Sequence, residues 1–227
     1  MRARAVWSRR GQTTHLEEDV MGQRAQRDRE FTDDAYIKLP EPALVAAKRP
    51  VDHPYNFGPP TGMSRLLMAH PRIGPAFLGL FSQIMFEPGA LSRQEHEFVA
   101  GVTASSRTAS TETTSHAEFL RAEGGDDETA RAIERGHWSD ADLSARMRAL
   151  GTVAEKLRFD PTTIGRADWD SLRSVGLDDE GCLEFAHIVG IFNHLTRLAD
   201  GFGIKVDPHT LAAASGGPPL RRAPSRE

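Results

Sequence analysis

The chain of 227 residues is 39% hydrophobic and mixes 28 basic with 32 acidic residues to a net charge of -4. That balance offers no basic field for nucleic acid or a membrane surface, and no apolar run reaches the roughly 18 residues of a spanning helix. A single cysteine, Cys182, excludes an intramolecular disulfide and any mechanism needing two cysteines in one chain. The start carries basic residues but no apolar stretch of signal-peptide length, so the expectation is a cytoplasmic protein acting on a small molecule.

Residues 1–35 show no sustained apolar period and read as a flexible extension; residues 36–205 read as one helical domain. Proline punctuates 40–61, which predicts a wrapping arm more than a regular element. Apolar positions at spacings of three and four then predict helices from Gly62 and over 73–86. Ser92 with Glu95 three residues on is a capping box, opening a helix from 93 to about 106.

A second helix holds "TASTETTSH" and runs to about Ala122, and "DETARAIERG" makes a short third one. Ser139 with Asp142 has capping spacing and predicts the start of a helix ending before Pro161. "RADWDSLRSVG" is another short helix, and Asp178 caps a long final one closed by Gly201 and Gly203. No segment alternates with period two, so the class is all-α; the Gly-Gly and Pro-Pro pairs of 206–227 predict a disordered tail.

Glu112 and His116 lie four apart, on one helix face with Cβ atoms about 6 Å apart, where they can share a proton, a water or a metal ion. Glu97 stands on a strip with Ala100, Gly101 and Ala104, small residues that let another helix approach and bury the carboxyl. A buried carboxyl without a cation rises in pKa toward neutrality, although Arg93 one turn back is an alternative partner. In the last helix His187 and Asn193 are candidate substrate-binding residues, and His96 reads as surface.

The order of these features resembles the carboxymuconolactone decarboxylase and alkyl hydroperoxidase D superfamily over roughly Gly62 to Ile204. The resemblance lies in "LLMAHPRIGPAFLGLF", in "LSRQEHEFVAG", in the helix ending at His116 and in "GLDDEGCLEFAHIVGIFNHLTRLADGFGI". It implies an AhpD-like helical bundle that forms a trimer or hexamer. The peroxidase branch carries Cys-x-x-Cys-x-x-x-His with a glutamate twelve residues upstream. Laid on this chain, Ala109 and Glu112 occupy the cysteine positions, His116 the histidine and Glu97 the glutamate, so thiol peroxidase chemistry is absent. The cysteine-free branch tends to show Glu-x-x-x-His there, with aromatics where this chain has Thr111 and Thr113. Those small hydroxyls predict a roomy, polar pocket lining.

The resemblance implies that Glu97, Glu112 and His116 converge at one pocket. The leading expectation is a cofactor-independent, decarboxylase-like enzyme acting on a small oxygenated acid or lactone. His116 would be the acid or base, Glu112 would orient it and Glu97 would be a second proton-transfer group. Two alternatives stand beside it. One is a divalent metal ion held by Glu97, Glu112 and His116; the other is a non-catalytic AhpD-like scaffold or ligand-binding protein.

Overall fold

The computed structural model describes residues 35–49, 53–105 and 111–221; the N-terminal extension expected at 1–35 lies, but for its last residue, outside them, as does Ala109. Among the described residues there are ten α-helices and no strands. They are α1 (Pro42–Ala46), α2 (Gly62–Met68), α3 (Ile73–Met85), α4 (Arg93–Ala104) and α5 (Thr111–Ala122). There follow α6 (Asp127–Glu134), α7 (Ala145–Phe159), α8 (Arg166–Ser174), α9 (Asp179–Phe202) and α10 (Pro208–Ala214).

Short polar side chains start five of these helices by accepting the free amides of the first turn. Ser92 accepts from the Glu95 amide while the Glu95 carboxylate accepts from the Ser92 amide at 2.7 Å, so the capping box at α4 is complete. Asp126 opens α6 on the Thr129 amide and Asp178 opens α9 on the Gly181 amide. Gly203 ends α9 at φ 66°, in the left-handed region, where a Cβ would also come within 2.6 Å of the Tyr36 ring.

α4 runs through the middle of the bundle and packs on α5, α9 and α7. Its residues from His96 to Ala104 are all buried. A helix enclosed on every side is expected to be apolar all round, yet α4 buries a histidine, a glutamate and a threonine. Phe98, Val99 and Val102 supply its apolar share, packed with Phe185, Ile188 and Phe192 of α9 and Leu150 and Val153 of α7. The strip Ala100, Gly101, Ala104 does admit close neighbours: a Cβ on Gly101 would stand 2.8 Å from Ile133 Cγ2 of α6 and 3.5 Å from His116 Cβ of α5.

Three sequence expectations change. The helix expected from Ser139 is a short 3-10 turn, Trp138–Asp140, and α7 begins later with Ser144 accepting the Met147 amide. The Trp138 ring fills the space over Gly151, where a Cβ would meet it at 2.5 Å, and that docking holds 138–140 out of the helix. The tail expected from 206 forms α10 instead, with Pro208 in its first turn, Thr210 fully buried and Asp207 accepting the Gly62 amide at 3.0 Å. The breaking Gly-Gly and Pro-Pro pairs come only after α10. His96, expected at the surface, is 1% exposed. Its Nδ1 donates to the Ser92 carbonyl at 2.8 Å and its Nε2 lies 3.2 Å from Glu184 Oε1, because α9 covers that face of α4.

Candidate active site

α4 and α5 cross where both carry their ionisable groups. Glu97 is fully buried, with every oxygen engaged: Oε2 accepts from His116 Nδ1 at 2.7 Å, Oε1 accepts from the Tyr55 hydroxyl at 2.7 Å, and the Arg93 guanidinium is hydrogen-bonded to Oε1 as well. Burial alone would push the Glu97 carboxyl up. The hydrogen bond and charge of His116, the Arg93 charge and the Tyr55 hydroxyl outweigh it and hold the carboxyl below its ordinary value. Glu97 is therefore a carboxylate, and it can only accept. His116 Nδ1 must carry a proton, which leaves Nε2 as the ring nitrogen free to exchange one.

Nε2 faces the other way. It lies 3.8 Å from Glu112 Oε2, one turn back on α5, too far for a direct hydrogen bond. Glu112 is 6% exposed, and no donor among the described residues lies within hydrogen-bonding distance of it. Burial pushes its carboxyl up, and the negative charges of Asp207 and Asp200 add to this against the opposing pull of His116. The two glutamates flanking one imidazole are thus driven apart in pKa, a separation that divides acid from base in many active sites.

Glu112 and His116 line a cavity of about 450 Å³, within the usual size of a small-molecule site. Phe81, Phe119, Phe192, Leu67 and Leu195 make most of its wall, with Tyr55 and His53 from the arm and Asp207 from the segment before α10. Phe192 meets the His116 ring edge-on at 4.5 Å and Phe119 does so at 5.6 Å. The polar lining expected from the threonines is not what forms. Aromatic rings arrive from later in α5 and from α9, while Thr113 is buried and is not part of the wall.

Several residues expected at the site are placed differently. Glu97 does not line the cavity, because the His116 and Tyr55 side chains stand between, so it holds His116 from behind and cannot reach a substrate. His187 is exposed on α9, and Asn193 accepts from Arg197 on the same helix; neither lines the cavity, since the inward face of α9 is carried by Phe192 and Leu195. The three residues of the metal alternative do not converge on one point: Glu97 faces Nδ1 of the imidazole at 2.7 Å and Glu112 faces Nε2 at 3.8 Å. Among the described residues no group of three or more His, Cys, Asp or Glu is arranged to hold a metal ion.

Tyr55 joins the site without a signal in the sequence. It lies in the proline-punctuated arm, where no periodicity marks a residue as buried, and its only distinction is to be one of two tyrosines. Its ring stacks on Phe119 at 4.6 Å and 19°, and Phe57 stacks on the same ring at 5.3 Å, which fixes the arm over the site.

No protein-family model matches the chain and no curated protein is significantly similar in sequence. Solved structures do match. A peroxidase-related protein from Ralstonia eutropha JMP134, described as an alkylhydroperoxidase AhpD core, superposes with a TM-score of 0.71 at 20% identity, over 81% of this chain and 98% of its own. The chain has the AhpD-like fold. A peroxidase-related protein from Silicibacter sp. TM1040 matches with a TM-score of 0.60 at 25% identity over 64% of this chain and 78% of its own. A cysteine-to-alanine variant of the debrominase Bmp8, in complex with 2,3,4-tribromopyrrole, matches with a TM-score of 0.64 at 17% identity over 79% and 96%. In this AhpD-like chain the one cysteine, Cys182, is buried near the start of α9 and is not part of the cavity wall. Among the described residues no helix is long and apolar enough to cross a membrane.

Proposed function

We propose that the chain is an enzyme that moves a proton at a carbon next to a carbonyl in a small oxygenated molecule, with decarboxylation, lactone opening or double-bond migration as the reaction. The observation that carries this reading is the buried Glu97–His116 hydrogen bond, which pins one imidazole nitrogen and presents the other, with a carboxyl that has no described donor, to a largely apolar cavity. His116 Nε2 takes the proton from carbon, and the electron pair moves onto the carbonyl oxygen. Glu112, whose raised pKa keeps a proton on it closer to neutrality, protonates that oxygen to give the enol. Glu97 holds the ring in one tautomer and balances the imidazolium that forms. The roles expected of the two glutamates are thereby exchanged.

Most of the wall beside the reacting pair is apolar and aromatic, which strengthens their electrostatic influence. Lys48 and Arg49 line the cavity too, and they suit the carboxylate of a small acid whose reactive carbon reaches His116. Self-association, expected as a trimer or hexamer, is proposed alongside; α3 exposes Ile73 and Leu80 and has no charged residue, and sedimentation analysis tests it.

The test of the reaction is a panel of β-keto acids, small lactones and unsaturated oxo acids incubated in deuterium oxide, with deuterium at carbon followed by NMR. The wild type is expected to exchange or turn over at least one class. His116→Ala should lose about 100-fold or more with its circular dichroism unchanged. Undiminished turnover in that variant ends this assignment.

A further inference from the structure

The front of the site is an imidazole nitrogen and a carboxyl without hydrogen-bond partners among the described residues. With Nδ1 of His116 committed to Glu97, its Nε2 has no hydrogen bond of its own, and Glu112 is buried on the cavity wall with none among the described residues. Buried polar groups are almost always satisfied, so a carboxyl left open toward a cavity marks where a ligand group belongs. The gap has a definite size. Nε2 and Oε2 are 3.8 Å apart, and one hydroxyl oxygen placed about 2.8 Å from each can bridge them, donating to Nε2 and accepting from Glu112 in its acid form.

The surroundings restrict what carries that oxygen. Asp200 and Asp207 act on Glu112 as further negative charges, so an anionic group at this end is repelled while a neutral hydroxyl is not. Phe119 and Phe192 stand edge-on to the imidazole and line the space beside it, with Phe81 and Tyr55 further along the wall. Such a wall favours a flat, unsaturated body.

We infer that this cavity binds planar molecules that present a neutral hydroxyl, phenols or enols, with the hydroxyl bridging Glu112 Oε2 and His116 Nε2 and the ring lying among Phe119, Phe192 and Phe81. This ligand class rests on the proton-transfer reading above, in which the enol is the species formed at the same two groups. A phenol is then a stable stand-in for it.

Binding of para-cresol and of its methyl ether, which keeps the ring but lacks the donor, is measured by calorimetry on the full chain. The wild type should bind para-cresol about tenfold or more tightly than the ether, the worth of the buried hydrogen bond that the ether cannot donate. Glu112→Leu should weaken para-cresol by about the same factor, leave the ether unchanged and so erase the preference. Glu112→Gln, closest in shape, guards against a misfolded leucine variant and should retain part of it. Equal binding of cresol and ether to the wild type, or a preference that survives in both variants, overturns the inference. The two readings separate cleanly. Loss of the phenol preference with turnover still dependent on His116 removes only the ligand class. A preserved preference in a chain that turns over nothing makes it a binding protein and removes the enzymatic reading.

Discussion

The two sides of the His116 ring carry the same chemical group in opposite surroundings. Behind the ring, Glu97 is enclosed by Arg93, Tyr55 and His116 and has a lowered pKa. In front, Glu112 is nearly as buried but has no hydrogen bond among the described residues and a raised pKa. Burial acts upward on both, so it is the partners that decide the sign. A carboxylate given three donors becomes a fixed anchor, and one given none becomes a group that can trade a proton.

Breaking the back of the ring should have the largest effect. Glu97→Ala takes the acceptor from one buried donor, His116, and two part-buried ones, Tyr55 and Arg93, and is expected to cost about 3–5 kcal/mol, read from urea unfolding. The His116 ring should also lose its single tautomer, visible in its nitrogen NMR shifts. Retained stability and an unchanged tautomer would show that the anchor is dispensable.

Crowding the small-residue strip of α4 is next. Gly101→Ala places a methyl 2.8 Å from Ile133 Cγ2, and overpacking of this kind costs about 1–3 kcal/mol. Because His116 Cβ is 3.5 Å from the same point, turnover should fall alongside stability. Tyr55→Phe removes one donor from Glu97 but keeps the stack on Phe119, for about 1–2 kcal/mol in chemical unfolding. It should leave the arm in place.

Replacing the front group has the smallest effect on stability, and the opposite sign. The raised pKa means that ionising Glu112 costs stability as pH rises from the ordinary carboxylate range through the elevated value. Glu112→Gln removes that cost, so its Tm advantage over the wild type should grow with pH. The lowered pKa of Glu97 acts in reverse. Its stabilisation is present above the unfolded value of about 4.3 and is lost as pH falls through the folded value, so the Glu97→Ala deficit should shrink in acid. A pair of Tm profiles from about pH 3 to 8 that ran parallel to the wild type would remove the distinction between the two sides.

Local signals are legible wherever chemistry acts within one turn. Ser92 with Glu95, and Asp178 ahead of Gly181, satisfy amides a few residues away, so residue type and spacing suffice to place α4 and α9. The small strip on α4 is equally readable, because the absence of side chains is what permits a close crossing. The start of α7 is not. Ser139 and Ser144 both offer a cap, and the docking of Trp138 over Gly151 decides between them.

By itself, then, the sequence determined an all-helical chain, a carboxylate and a histidine on one face of α5, and a second carboxylate on a helix built for close contact. Only the tertiary structure decided which glutamate is anchor and which faces the cavity, since that depends on Tyr55 and Arg93 reaching one of them and no described donor reaching the other. It also decided that the wall is aromatic and that α10 closes the domain. Hydrogen bonds across 42 residues, such as Tyr55 to Glu97, have no periodicity to announce them, because their spacing is set by the packing of the whole bundle.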